Sequence, residues 1–159
     1  FNINPDHKQL ADIAIESAKT AEQFGIPAKV AMLSFSTHGS ATHEDANKVI
    51  KATKIVKKRE PKLIIDGEVQ FDAAYMPEIQ KSKAPDSPLK GPASVFIFPD
   101  LDSGNIAYKI TERLAKAKAY GPVLQGFAQP INDLSRGCSV DDIIVVAAIT
   151  AVQTLTKPL

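Results

Sequence analysis

The sequence predicts an α/β protein: a mostly parallel sheet with flanking helices. Three observations carry that prediction. Largely apolar runs of strand length recur along the chain, stretches with helical spacing of apolar residues separate them, and loops rich in small polar residues lead from strands into helices. No internal repeat and no low-complexity tract interrupts the alternation.

The elements follow in order. Residues 5–25, PDHKQLADIAIESAKTAEQFG, read as a helix with Pro5 and Asp6 at its start and Gly25 as its stop. AKVAMLSF (28–35) has the length and apolarity of a buried strand. STHGSAT is a loop, and HEDANKVIKATKIVKK (43–58) is a second helix. PKLIIDG (61–67) is a short strand ending in a turn. FDAAYMPEIQKSK (71–83) reads as helical, with Pro77 either early in the helix or breaking it. The Pro-rich KAPDSPLKGP marks a loop or a lobe boundary. ASVFIFP (93–99) is the next strand, and 102–117 the next helix. YGPVLQGFAQP (120–130) supplies a last short strand, and the chain closes on an apolar helix with Ile143, Ile144, Ala147, Ala148 and Ala151 at helical spacing.

Composition narrows the function classes. The 159 residues are 44% hydrophobic and 23% charged, which suffices for a sizeable core in one domain or two small lobes. A formal net charge of +1 gives no basic surface for nucleic acid. The basic stretch KATKIVKKRE reads as a solvated helix face. No apolar run approaches the roughly 18 residues of a membrane span. One cysteine and no secretory apolar segment point to a reducing, cytoplasmic setting without disulfides. The chain opens at Phe1 rather than Met, which fits a fragment, a processed chain or an excised domain.

In parallel sheets, ligands bind beyond the carboxyl ends of the strands, where loops enter helix N-termini. Three loops share that position here: SFSTHGS, FPDLDSGN and NDLSRGCS, all suited to anionic groups such as phosphate. The third holds the densest polar cluster, Asn132, Asp133, Ser135, Arg136, Ser139, Asp141 and Asp142, directly before the last helix. Ser139 is a good N-cap and Asp142, three residues on, approximates a capping box. That pattern leaves Ser135 and Arg136 unexplained. Arg136 reads either as a surface charge or as a clamp on phosphate or a developing oxyanion. Cys138 lies near the same helix start, but no histidine is close in sequence to act as its base, so it reads as packed. His38 and His43, followed by Glu44 and Asp45, match no zinc spacing, so no metal site is expected. Asp66, Glu68 and Asp72 could suggest paired carboxylates; alternation puts Glu68 and Gln70 on one side, and no site follows from them.

Five stretches taken together resemble the phosphate acetyltransferase family: NINPD…LADIAIESAKTAEQFGI, MLSFSTHGS, DGEVQFDAA, VFIFPDLDSGNIAYK and GPVLQGFAQPINDLSRGCSVDDI. The resemblance runs in the same order over essentially the whole chain and fits the C-terminal half of such an enzyme. It implies a two-lobed fold like that of isocitrate and isopropylmalate dehydrogenases, here partial. Residues 1–118 would be mostly the second lobe, and residues 119–159 the strand, catalytic loop and helix that return to the first. It also implies reversible acetyl transfer between acetyl phosphate and coenzyme A, a homodimer, and no metal or prosthetic group.

The resemblance assigns roles to Ser135, Arg136 and Asp142. Asp142 would take the proton of the CoA thiol for direct attack on the acetyl carbonyl, which also removes Cys138 as an acyl carrier. Ser135 and Arg136 would stabilise charge on the carbonyl oxygen and the departing phosphate. Ser36, Thr37, Ser40, Asp100, Asn105 and Asn132 would line the same cleft. His38 departs from the family, where many members have Lys. Family arginines that hold phosphate and CoA belong to the N-terminal half, so this chain alone is expected to show little or no activity. Two other readings remain: an acetyl-CoA-sensing domain of the phosphotransacetylase-like type, and a phosphate butyryltransferase.

Overall fold

The computed structural model describes residues 2–155. Helix α1 spans His7–Gln23. The Asp6 carboxylate accepts the N–H groups of Lys8 and Gln9, and the Gln9 side chain accepts the Asp6 N–H, closing a capping box. Gly25 then ends the helix at a φ of 72°, a conformation that glycine adopts without steric cost. Strand β1 (Lys29–Leu33) follows, then α2 (Glu44–Arg59), β2 (Ile64–Val69), α3 (Phe71–Tyr75), α4 (Pro77–Lys83), β3 (Val95–Ile97), α5 (Leu101–Leu114) and α6 (Val140–Leu155). Pro77 breaks the expected helix over 71–83 and starts α4 as its first residue, where a missing N–H costs no hydrogen bond.

The sheet is parallel, in the order β2-β1-β3, as the alternation of strands and helices requires. Its two faces take alternate residues of β1. Val30 and Met32 join Leu10, Ala14, Val49, Val56 and Ile65 beneath α1 and α2. Ala31 and Leu33 face Val69, Ala73, Ala74 and Leu89 on the other side, beneath α3 and the loop that follows α4.

One expected strand is absent. Residues 120–130 contribute only an isolated antiparallel bridge between Val123 and Asn132. Pro122 and Pro130 cannot donate to a ladder, and the glycines at 121 and 126 take positive φ. The sheet among the described residues is therefore three strands wide. The C-terminal segment is fixed to α1 by Gln125, which bonds Ser17 and Thr20.

Candidate active site

Two of the three polar loops meet at the carboxyl end of the sheet. Ser34 and Phe35, leaving β1, and Pro99, Asp100 and Ser103, leading into α5, border an open cavity of ≈ 410 Å³. Phe71 and Phe98 give it apolar walls, and Asp45, Lys48 and Asp100 line it as well, with Lys48 Nζ donating to Asn4 Oδ1 at 3.0 Å. Asp100 is the N-cap of α5. The Ser103 N–H, 2.7 Å from its Oδ1, holds the carboxyl below its ordinary value, with the Ser103 hydroxyl and Lys48 acting in the same direction and partial burial opposing. Asn105, one turn into α5, is exposed. The sequence reading overlooked Lys48 and the aromatic walls. The cue available was position, since Phe35, Phe71 and Phe98 each stand just beyond the carboxyl end of a strand.

The loop 36–40 has a different construction from the one expected of an anion cradle. Ser36 and Thr37 lie beneath the surface, while His38, Gly39 and Ser40 are exposed. Every backbone N–H from Ser36 to Ala41 is already taken. Ser36 donates to Ser34 Oγ, Thr37 to Ser40 Oγ, and Ala41 to Ser36 Oγ. His38 donates to the Glu68 carbonyl, Gly39 to Glu68 Oε1, and Ser40 to the Thr37 carbonyl.

The third polar cluster stands at the start of α6 and does not border that cavity among the described residues. Ser139 and Asp142 form a reciprocal cap. Asp142 Oδ2 accepts both the Ser139 N–H at 2.8 Å and the Ser139 hydroxyl at 2.9 Å, and the Asp142 N–H reaches Ser139 Oγ at 3.2 Å. The two Ser139 donors hold the Asp142 carboxyl below its ordinary value. Oδ1 has no partner among the described residues and remains available as an acceptor. Ser135 Oγ accepts the Gly137 N–H, which shapes the turn, and Arg136 is exposed beside it. Cys138 is half-buried, and its N–H bonds the Ser135 carbonyl.

Asn132 makes three side-chain hydrogen bonds within the fold. Its amide group donates to Thr150 Oγ1 at 2.8 Å and Gln153 Oε1 at 2.7 Å, and its Oδ1 accepts the Leu124 N–H at 2.9 Å. It ties the loop before α6 to the side of α6. No group of three or more His, Cys, Asp and Glu residues that could hold a metal is found among the described residues. No helix among them is long and apolar enough to cross a membrane.

The site thus belongs to an α/β protein whose three-stranded parallel sheet carries polar loops at its carboxyl end, with a serine-arginine pair before a carboxylate-capped helix. The family model for phosphate acetyl/butaryl transferase matches residues 1–151, and the chain belongs to that family. It is 61% identical over 151 residues to a phosphate acetyltransferase of Acetivibrio thermocellus, covering 94% of this chain and 46% of the relative. A phosphate acetyltransferase of Bacillus subtilis is 56% identical over 155 residues, with 98% and 48% covered. Among solved structures, a phosphotransacetylase from Streptococcus pyogenes superposes with a TM-score of 0.94 at 52% identity, over 98% of this chain and 47% of that one. The chain thus spans about half the length of these relatives.

Proposed function

We propose that this chain carries the catalytic corner of a phosphate acetyltransferase, which moves an acetyl group reversibly between acetyl phosphate and coenzyme A. The observation that carries the reading is the geometry of Asp142: its cap uses one carboxylate oxygen and leaves the other open, six residues after the Arg136 guanidinium. In the forward direction Asp142 Oδ1 accepts the thiol proton of CoA while the sulfur attacks the acetyl carbonyl. The carbonyl re-forms as the bond to the phosphate oxygen breaks, and inorganic phosphate departs. A thiol has a pKa of about 8.5 and the Asp142 carboxyl lies below its ordinary value, so the proton moves uphill. Transfer therefore accompanies attack, and a positive charge beside the developing oxyanion lowers that barrier. Arg136 supplies this charge, with Ser135 as a hydrogen-bond donor.

The reading includes a homodimer in the cytoplasm, no metal or prosthetic group, and a first half of the enzyme that supplies further phosphate and CoA contacts. Residues 119–155 would pack against that half. The relatives named phosphate acetyltransferase support acetyl over butyryl as the acyl group. The serine, arginine and aspartate are all present, which supports an enzyme over an acetyl-CoA sensor.

The test is thioester formation from CoA and acetyl phosphate by a chimaera in which this chain replaces the matching half of the Bacillus subtilis relative. Asp142→Asn retains an acceptor for the cap but removes the base, and should lower kcat by about 100- to 10,000-fold. A variant within threefold of its parent would reduce Asp142 to a helix cap. An inactive chimaera that still binds acetyl-CoA would favour the sensor.

A further inference from the structure

Asp66 and Glu68 on β2 and Gln70 just after it are three polar side chains at alternating positions, and each holds one part of the loop that leaves β1. Asp66 bonds His38 Nε2 through both carboxylate oxygens, at 3.1 Å each. Gln70 accepts the Thr37 hydroxyl at 3.2 Å, and its N–H donates back to Thr37 Oγ1 at 2.9 Å. Glu68 occupies the centre. Its Oε1 accepts the Ser36 hydroxyl at 2.9 Å and the Gly39 N–H at 2.6 Å, and its carbonyl accepts the His38 N–H at 3.1 Å. Glu68 is only 3% exposed. A carboxylate is costly to bury unless charge-assisted hydrogen bonds hold it, and this one obtains them from the loop.

The catalytic corner makes no use of this carboxylate. We infer that Glu68 is a positioning residue for the transfer reaction, fixing the loop 36–40 and, through Ser36, the Phe35 wall of the cavity beside β1. The connection is direct. Ser36 follows Phe35 in the chain and is itself fully buried, and its bond to Glu68 at 2.9 Å is shorter than its contacts with Ser40 Oγ and the Ala41 carbonyl, at 3.4 Å each. Ser36 Oγ also accepts the Ala41 N–H, so a single carboxylate oxygen anchors both ends of the loop. His38 adopts a φ of 47°, a left-handed conformation uncommon outside glycine, and this is tolerated where neighbouring contacts over-determine it. Glu68 acts on substrate only through the wall it sets, so its loss weakens binding more than chemistry.

The inference rests on the transferase reading, and two readouts separate their failures. The first is amide hydrogen exchange in the chain itself. Glu68→Ala should speed exchange at Gly39 and Ala41 by about tenfold or more while leaving Val30–Leu33 unchanged. The second is steady-state kinetics in the chimaera. Glu68→Ala should raise KM for acetyl phosphate or CoA by about tenfold with kcat within about threefold, and Glu68→Gln, whose Oε1 still accepts both bonds, should restore both values. Faster exchange throughout β1, or a freed loop with KM unchanged, would overturn the positioning role and leave Glu68 as a fold support. A chimaera that forms no thioester would overturn the transferase reading instead. Exchange would then decide Glu68 alone: a loop still protected in Glu68→Ala would refute the anchor, and a loop selectively freed would support it.

Discussion

Residues 2–100 and residues 101–155 are built on opposite terms. The first region closes a core on both faces of its sheet. All the buried hydrophobic side chains among the described residues lie there except Val146. The second region is also apolar, yet its apolar surface is uncovered. No residue of α5 is buried, and α6 exposes Val140, Ile143, Ile144 and Leu155. A helix that is apolar on most sides belongs in an interior rather than at a surface. The difference teaches that apolar composition alone does not make a core. The first region is satisfied by its own strands and helices, whereas the second leaves the surface of a core element uncovered among the described residues.

Truncations in the two regions should separate them most sharply. Met32 is fully buried between the sheet and the α1–α2 layer, so Met32→Ala should cost about 2–5 kcal/mol in urea unfolding. Ile144 is 61% exposed, and Ile144→Ala should change the stability of this chain by about 0.5 kcal/mol or less. In the chimaera, where a complementary half is present, the cost at Ile144 should rise toward the core range. An Ile144→Ala cost that is equal in both settings would break the comparison.

Gly67 tests the first region from the opposite direction, by adding atoms. A Cβ built there would stand 2.5 Å from Met32 Cβ, 2.9 Å from the Met32 carbonyl oxygen and 3.0 Å from Thr53 Oγ1. Two of these are parts of the β1 backbone or its stiff first carbon, so relief requires the strands to shift. Gly67→Ala should therefore destabilise the chain by about 1–3 kcal/mol, visible as a lowered Tm. The same change at Gly137, where nothing lies within 4 Å, should be nearly silent. Similar losses at the two glycines would show that tight packing is not what distinguishes β2.

The sequence made the first region legible because its signals are local. Asp6 and Gly25 bracket α1 through contacts only a few residues long, and Pro77 acts on the residue beside it. The strand expected over 120–130 failed because its apolar residues suggested a ladder that its prolines and glycines cannot make. The site divides in the same way. The Ser139–Asp142 cap spans three residues and could be read directly. The anchoring of the 36–40 loop by Asp66, Glu68 and Gln70 could not, since those partners lie about thirty residues apart. They meet only because β1 and β2 pair in parallel, with Ala31 opposite Asp66 and Leu33 opposite Val69. Asn132 is a further case: the sequence placed its amide in a polar loop, and only the fold shows that it also ties that loop to Thr150 and Gln153 on α6.

The smallest expected effect concerns acid, at the joint between the two regions. Asp100 ends the β3 side of the first region and caps α5 of the second. The Ser103 N–H and hydroxyl hold its carboxyl below the ordinary 3.8, against partial burial. A folded pKa below the unfolded one means that the unfolded chain binds the proton more readily. The cap's contribution is therefore fully present above about pH 5 and is lost as pH falls below about 4 through the folded value. Asp6 and Asp72 are lowered in the same direction, the first by the N–H groups of Gln9 and Lys8 and the second by Lys83. Both belong to the first region. Asp100→Asn leaves an acceptor for the Ser103 N–H but no titrating group, so the acid limb measured on α5 amides by hydrogen exchange should flatten while that of α1 persists. If both limbs flattened together, α5 would unfold with the first region as one unit, and the division between self-contained and uncovered structure would have to start beyond α5 instead of before it.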